Sequence, residues 1–68
     1  MSKLYSSKHI IKILLKSGFI QSGQKGSHKK FKKGSHTVIL PDPRKEIPMG
    51  TFYSILRQSG LKKEDFSD

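Results

Sequence analysis

The stretch that decides the fold is Gly26-Ser27-His28-Lys29-Lys30-Phe31-Lys32-Lys33-Gly34-Ser35-His36, a lysine-rich segment with one phenylalanine near its centre. Glycine-containing turns around it predict that the segment is a β-strand. Successive side chains of a strand point to opposite faces, so His28 would share a face with Lys30 and Lys32, and Phe31 would point the other way. If Phe31 faces the core, the imidazole faces solvent among ammonium groups. A side chain that changes charge near neutral pH suits proton transfer beside a phosphate.

The turns on either side of this segment predict a three-stranded antiparallel sheet. Lys25-Gly26 and Gly34-Ser35 are the expected two-residue turns, and the strands span residues 19–24, 27–32 and 37–40. Counting outward from the two turns pairs Phe31 with Ile20 and with Val38, which predicts an apolar row across the sheet. The same count places Gly23 opposite His28, where the glycine either leaves open space beside the imidazole or marks a bulge or a weak strand end.

Two amphipathic helices flank the strands in the sequence. Apolar residues at helical spacing follow Ser6 and Ser7, either of which can cap the first helix, and Gly18 would end it. Residues 51–59 carry the spacing of a second helix, which would end at Gly60. We therefore expect an α+β fold of order α-β-β-β-α, with both helices on one face of the sheet and the other face open.

The remaining segments are expected to be irregular. Three prolines within residues 41–48 predict a rigid, basic connecting loop. Residues 62–68 mix charges around a lone Phe66 and are expected to form a flexible tail. No internal repeat is visible, so residues 1–68 are predicted to be a single domain.

Charge points to the class of partner. The 68 residues include 14 Lys and Arg against 5 Asp and Glu, for a formal charge of +9, which favours a polyanion, with nucleic acid ahead of an anionic membrane. No apolar run is long enough for a membrane span or a secretory signal, so we expect a cytoplasmic protein. Cysteine is absent, which excludes disulfides and cysteine-based metal sites.

Several short motifs follow one another along the chain. They are QKGSHKKF at residues 24–31, Pro41, KEI at residues 45–47, GT at residues 50–51 and ILRQSGL at residues 55–61. In this order they closely resemble the HicA family of toxins, and the resemblance covers about residues 6–61. It implies a fold like that of a double-stranded-RNA-binding domain and the activity of an RNA-cleaving toxin (an mRNA interferase). It further implies a type II toxin–antitoxin system, in which a HicB-type antitoxin protein masks the toxin.

The resemblance also implies a functional residue. The family's histidine lies in its Gly-Ser-His segment, and the matching position here is His28. Many members carry a further histidine in the loop after the third strand, whereas this chain has Asp42-Pro43-Arg44 there. We therefore expect a mechanism with a single catalytic histidine. His36 would lie at the far turn and His9 on the first helix, and neither is expected to replace the missing one.

The expected chemistry is RNA cleavage without a metal or another cofactor. RNA supplies its own nucleophile, the 2′-hydroxyl, so the protein needs a base, an acid and positive charge, and His28 is the candidate base or acid. The three histidines and five carboxylates show no metal-ligand spacing. The cations expected to bind RNA are Lys25, Lys29, Lys30, Lys32, Arg44 and Lys45.

Two alternatives remain open from the sequence. The chain could be a module that binds structured RNA by shape without cleaving it. It could also be chiefly an interaction subunit that docks a partner through Phe66 and the acidic tail. A histidine among lysines favours the enzyme, since phosphate binding alone would be served by Lys or Arg.

Overall fold

The computed structural model describes residues 3–67 and confirms the order α-β-β-β-α. The elements are α1 (Ser7–Lys16), β1 (Ile20–Lys25), β2 (His28–Lys33), β3 (His36–Pro41), α2 (Met49–Ser59) and a short 3₁₀ helix (Lys63–Phe66). The three strands form one antiparallel sheet in the order β1-β2-β3. Within the described residues, no helix is long and apolar enough to cross a membrane.

The ends of α1 follow from local sequence. Of the two candidate caps, Ser6 is the one used, because its hydroxyl oxygen accepts a hydrogen bond from the backbone N–H of His9 at 3.0 Å. At the other end, the chain turns at Gly18, and the N–H of Phe19 returns to the carbonyl oxygen of Leu14 at 2.9 Å. This ending brings Phe19 into the core, where its side chain is buried.

The pairing of β2 with β3 is the one predicted. Phe31 lies opposite Val38 and Lys29 lies opposite Leu40, around a turn at Gly34-Ser35. Gly34 has a φ of 58°, the positive value that the first central position of a type II′ turn requires.

The predicted pairing of β1 with β2 is wrong. The turn is Gly26-Ser27, one residue later than expected, and a β-bulge at Ser22 shifts the register again. Gly23 therefore lies opposite Lys30, and Ile20 lies opposite Lys32. Ile20 consequently belongs to the open face, where 67% of it is exposed, and the expected apolar row across all three strands does not form.

One face of the sheet carries the core. Both helices pack on this face, as predicted, and their buried side chains meet those of β2 and β3. The buried apolar residues are Ile10, Leu14, Phe19, Phe31, Val38, Leu40, Ile47, Phe52, Ile55 and Phe66. The opposite face of β2, with His28, Lys30 and Lys32, is exposed to solvent.

Residues 62–67, which were expected to belong to a flexible tail, include the 3₁₀ helix Lys63–Phe66, and Asp68 lies outside the described residues. The side chain of Phe66 is fully buried and packs edge-to-face on Phe52, with ring centroids 5.3 Å apart. Nε2 of His9 donates a hydrogen bond to the carbonyl oxygen of Phe66 at 2.7 Å. The buried ring and the bond from His9 thus anchor a segment whose composition is otherwise that of a solvated tail.

Candidate functional site

His28 is the first residue of β2 and lies directly after the Gly26-Ser27 turn. Its side chain is exposed on the open face, the face predicted from strand alternation. Lys30 and Lys32 share that face, and Lys25 pairs with His28 across the strands. Three of the predicted RNA-binding cations, Lys25, Lys30 and Lys32, therefore lie on the same face as the histidine.

A concavity of about 530 Å³ opens beside the imidazole. Its walls come from all three strands, and the lining residues are Gly23, Gln24, Lys25, His28, Lys29, Lys30 and Ile39. Gly23 has no side chain to fill this space, and a Cβ atom built there would meet no atom within 4 Å. The open space predicted beside His28 is therefore present, although Gly23 borders it from opposite Lys30 rather than from opposite His28.

Lys29 points away from this group. Its ammonium forms an ion pair with Asp42, with 2.7 Å between Nζ and Oδ2, and both side chains are largely buried, at 27% and 15% exposed. Among residues 3–67 this is the one ion pair within 4 Å. Of the cations predicted to bind RNA, Lys29 is thus the one whose charge is already compensated within the protein.

Asp42 connects three parts of the fold. Besides Lys29, its carboxylate accepts a hydrogen bond from the hydroxyl of Ser7, with 2.6 Å between Oγ and Oδ1, and its backbone N–H donates to the carbonyl oxygen of Ser27 at 2.7 Å. Both sequence neighbours of His28 are therefore bonded to Asp42. Hydrogen bonds from Lys29 and Ser7, followed by the charge of Lys29, hold the pKa of the Asp42 carboxyl below its ordinary value despite partial burial.

Ser7 secures the same loop at the start of α1. Its side chain is 1% exposed, its hydroxyl oxygen accepts from the N–H of Arg44 at 2.9 Å, and its own N–H donates to the carbonyl oxygen of Arg44 at 2.9 Å. A second concavity, about 750 Å³, lies at this junction. Its lining residues are Ser6, Ser7, Lys8, Ile11, Lys29, Asp42, Pro43, Arg44 and Lys45. The structure thus gathers the other three predicted cations, Lys29, Arg44 and Lys45, around a second groove, and Lys29 also borders the concavity beside His28.

Sequence reasoning missed the connecting role of Asp42 and Ser7. The sequence marks Asp42 only as a residue where another histidine is common, and Ser7 only as a candidate cap. The two lie 35 residues apart, so no local pattern joins them. Ile39 is exposed on the open face, and nothing in its strand marks it as a wall of the concavity.

The two other histidines have structural contacts. The ring of His9 stacks on Tyr5, with centroids 4.8 Å apart, and bonds to the C-terminal segment. Nδ1 of His36 donates to the carbonyl oxygen of Gln58 at the end of α2, 3.1 Å away. Within residues 3–67, no three His, Asp or Glu side chains converge as metal ligands would.

Comparison with known protein families adds to this geometry. The family model described as "HicA toxin of bacterial toxin-antitoxin" matches residues 7–61 of the 68-residue chain. The matched region begins with α1 and ends just after α2, so it contains the whole sheet, His28 and Asp42. A search of curated proteins gave no match.

Proposed function

The chain belongs to the HicA toxin family of bacterial toxin–antitoxin systems, and on that premise we propose that it is a metal-independent endoribonuclease that cleaves mRNA with His28 as its single catalytic histidine. In this proposal it acts in the cytoplasm as the toxin of a type II system and blocks translation and growth. The observation that carries the proposal is the exposed imidazole of His28 beside an open concavity and among Lys25, Lys30 and Lys32.

The proposed reaction uses the nucleophile that RNA supplies. The 2′-oxygen attacks the adjacent phosphorus, the bond from phosphorus to the 5′-oxygen breaks, and a 2′,3′-cyclic phosphate forms. His28 either takes the proton of the 2′-hydroxyl while water protonates the leaving 5′-oxygen, or it protonates that oxygen while water takes the 2′-hydroxyl proton. Either role contributes about 10²- to 10⁴-fold. The ammonium groups of Lys30 and Lys32 stabilise the negative charge that builds on the phosphate oxygens.

The proposed RNA contacts follow the two groups of cations. Lys25, Lys30 and Lys32 bind the phosphates around the scissile bond, and Arg44 and Lys45 bind phosphates farther along the strand, in the groove beside α1. Such contacts are independent of base sequence and weaken as salt rises. Lys29 contributes less, since Asp42 already neutralises it.

The proposed regulator is a HicB-type antitoxin protein. A chain of formal charge +9 with an open basic face is matched by a partner that places acidic groups on that face or covers it. Either arrangement would exclude RNA from His28.

The test is cleavage of a long unstructured RNA in excess chelator, with binding measured at the same salt concentration. We expect His28→Ala to lower the cleavage rate by about 10²- to 10⁴-fold and to leave RNA affinity unchanged. His36→Ala is the matched control, because it removes an exposed imidazole that bonds to α2, and it should cleave like the native chain.

Two outcomes would contradict the proposal. If the native chain binds RNA but never cleaves it, the protein is an RNA-binding module and His28 has no catalytic role. If cleavage needs a metal ion, the single-histidine mechanism is wrong.

A further inference from the structure

We propose that the concavity beside His28 is a nucleobase subsite, which holds the base of a nucleotide next to the scissile phosphate against the bare strand at Gly23 and the side chain of Ile39. This inference rests on the proposed function and extends it from the phosphate to the base. It assigns a ligand class, an unpaired RNA base, to a site that phosphate binding does not use.

The strand register places Gly23 and Ile39, the two residues proposed to contact the base. Gly23, Lys30 and Ile39 form one row across the three strands on the open face, and Lys25, His28 and Pro41 form the neighbouring row. These rows are two residues apart along the strand, about 6.6 Å. A group seated between Gly23 and Ile39 therefore lies directly beside the imidazole.

The chemistry of the walls suits a base better than a phosphate. Ile39 is a β-branched apolar residue that is 48% exposed on a face otherwise rich in lysine. Neither Ile39 nor Gly23 has a side chain that can pair with an anion, whereas both offer apolar surface to the flat face of a base. The methylene stems of Lys25 and Lys30 extend that surface, and their ammonium groups remain available for the flanking phosphates.

The backbone at Gly23 supports the same assignment. Its φ is not positive, so the conformation does not demand glycine, and a Cβ would meet open space. A glycine inside a strand marks a place where a ligand can approach the backbone closely. The adjacent bulge at Ser22 is a feature that concentrates near active sites, where it redirects the strand.

The charges around the cavity favour RNA as its occupant over an apolar side chain of a protein partner. Lys25, His28 and Lys30 line it, and Lys32 extends the same face. A flat apolar floor within a cationic rim matches a nucleotide, in which an apolar base is attached to an anionic backbone.

The test is an abasic scan that does not depend on cleavage. Short single-stranded 2′-O-methyl RNA oligonucleotides lack the free 2′-hydroxyl, and one base at a time is removed along the strand while affinity for the native chain is measured by fluorescence anisotropy. We expect removal of one particular base to weaken binding about tenfold. Gly23→Val, whose Cβ would meet no atom within 4 Å and whose methyl groups would occupy the concavity, should weaken binding of the parent oligonucleotide to the same level and abolish the effect of the abasic position.

Gly50→Ala is the matched control. A Cβ at Gly50 also meets no atom within 4 Å, but Gly50 lies on α2, away from the open face. This variant should keep both the affinity and its dependence on the base.

The inference is overturned if every abasic oligonucleotide binds like its parent, or if Gly23→Val keeps the same base dependence. It is also overturned if Gly23→Val leaves RNA binding unchanged and instead prevents binding of an antitoxin protein, because the cavity would then hold a protein side chain. These outcomes are independent of the proposed function, which is tested by metal-free cleavage of unmodified RNA through His28.

A second inference comes from the bonds of Asp42. We infer that Asp42 is a positioning residue for His28, because it bonds to Ser27 through its backbone and to Lys29 through its carboxylate, at 2.7 Å in both cases. His28 is thereby held on both sides by the residue that directly follows β3. This role also rests on the proposed function, and in it Asp42 acts through Ser27 and Lys29 rather than on the scissile phosphate.

The test is to compare Asp42→Asn with the native chain well below the unfolding temperature. We expect kcat to fall about tenfold while KM stays equal or decreases, since the released ammonium of Lys29 gains a phosphate contact. Amide hydrogen exchange of residues 27–29 should accelerate more than that of residues 36–40, a local change that is measured without RNA. An unchanged kcat, or uniform acceleration of exchange through the whole sheet, would overturn the positioning role.

Discussion

Lys29 and Lys30 are neighbours in the sequence, yet they belong to two different environments. Lys29 lies on the helix-covered face of the sheet, where its ammonium contacts Asp42 and its strand neighbour on that face is the buried Phe31. Lys30 lies on the open face with His28 and is exposed. The comparison teaches that a single strand of repeated lysines has two physical roles: one face stabilises the fold, and the other presents charge to a polyanion.

The strongest test of this comparison deletes an apolar side chain from each face. Phe31→Ala should lower the free energy of unfolding by about 3–5 kcal/mol, because the ring is 1% exposed and its loss leaves a cavity. Ile20→Ala on the open face should change it by no more than about 0.5 kcal/mol. Urea denaturation followed by circular dichroism measures both, and equal losses would show that the open face is covered in solution.

The next test removes a hydroxyl from the packed junction. Ser7→Ala should lower the free energy of unfolding by about 1–3 kcal/mol, since it leaves Asp42 Oδ1 and the N–H of Arg44 without this partner. Ser35→Ala changes an exposed turn serine and should have an effect within about 0.5 kcal/mol. The same denaturation experiment measures both variants. An unchanged free energy of unfolding for Ser7→Ala would mean that water replaces the hydroxyl without cost.

Acid should lower the free energy of unfolding by protonating Asp42, the partner of Lys29 on the helix-covered face. The pKa of Asp42 is lowered in the fold, so its carboxylate contributes stability above its unfolded pKa, and that stability is lost as the pH falls through the lower, folded pKa. We expect the free energy of unfolding to decrease below about pH 4, and Asp42→Asn to show a smaller decrease. Denaturation midpoints measured from neutral to acidic pH test this, and identical pH profiles for the two chains would contradict it.

The smallest effect concerns the two lysines themselves. Lys30→Gln should reduce the slope of log affinity against log salt for single-stranded RNA by about 0.7, the value for one lost phosphate contact. Lys29→Gln should leave that slope near the native value, because its charge is already compensated by Asp42. Equal reductions would mean that RNA displaces Asp42 from Lys29.

The same contrast explains what could be predicted from the sequence. The pairing of β2 with β3 was predictable because the Gly34-Ser35 turn and the match of Phe31 with Val38 gave the same register. The face of His28 followed from alternation alone. The register of β1 was not predictable, since Gly23 allows a bulge without placing it at Ser22 and the true turn lies one residue later than expected.

The contact between Ser7 and Asp42 and the burial of the C-terminal segment were also not predictable from local sequence patterns. Ser7 and Asp42 are polar residues from distant parts of the chain, and their hydrogen bond depends on how α1 docks on the sheet. Phe66 lies among charged residues, so composition predicted solvent exposure, whereas its contact with Phe52 buries it fully. Long-range contacts of this kind have no periodic signal in the sequence.

The bonds of Asp42 also have a consequence for the order of folding events. The β2–β3 hairpin closes a short loop, whereas the contact of Asp42 with Ser7 spans 35 residues and must wait until the helix has docked. Destabilising changes at this contact should therefore speed unfolding more than they slow folding, with a φ-value near zero. On this kinetic view, the β2–β3 hairpin with its lysines has formed in the folding transition state, and His28 is fixed in place only at the last step.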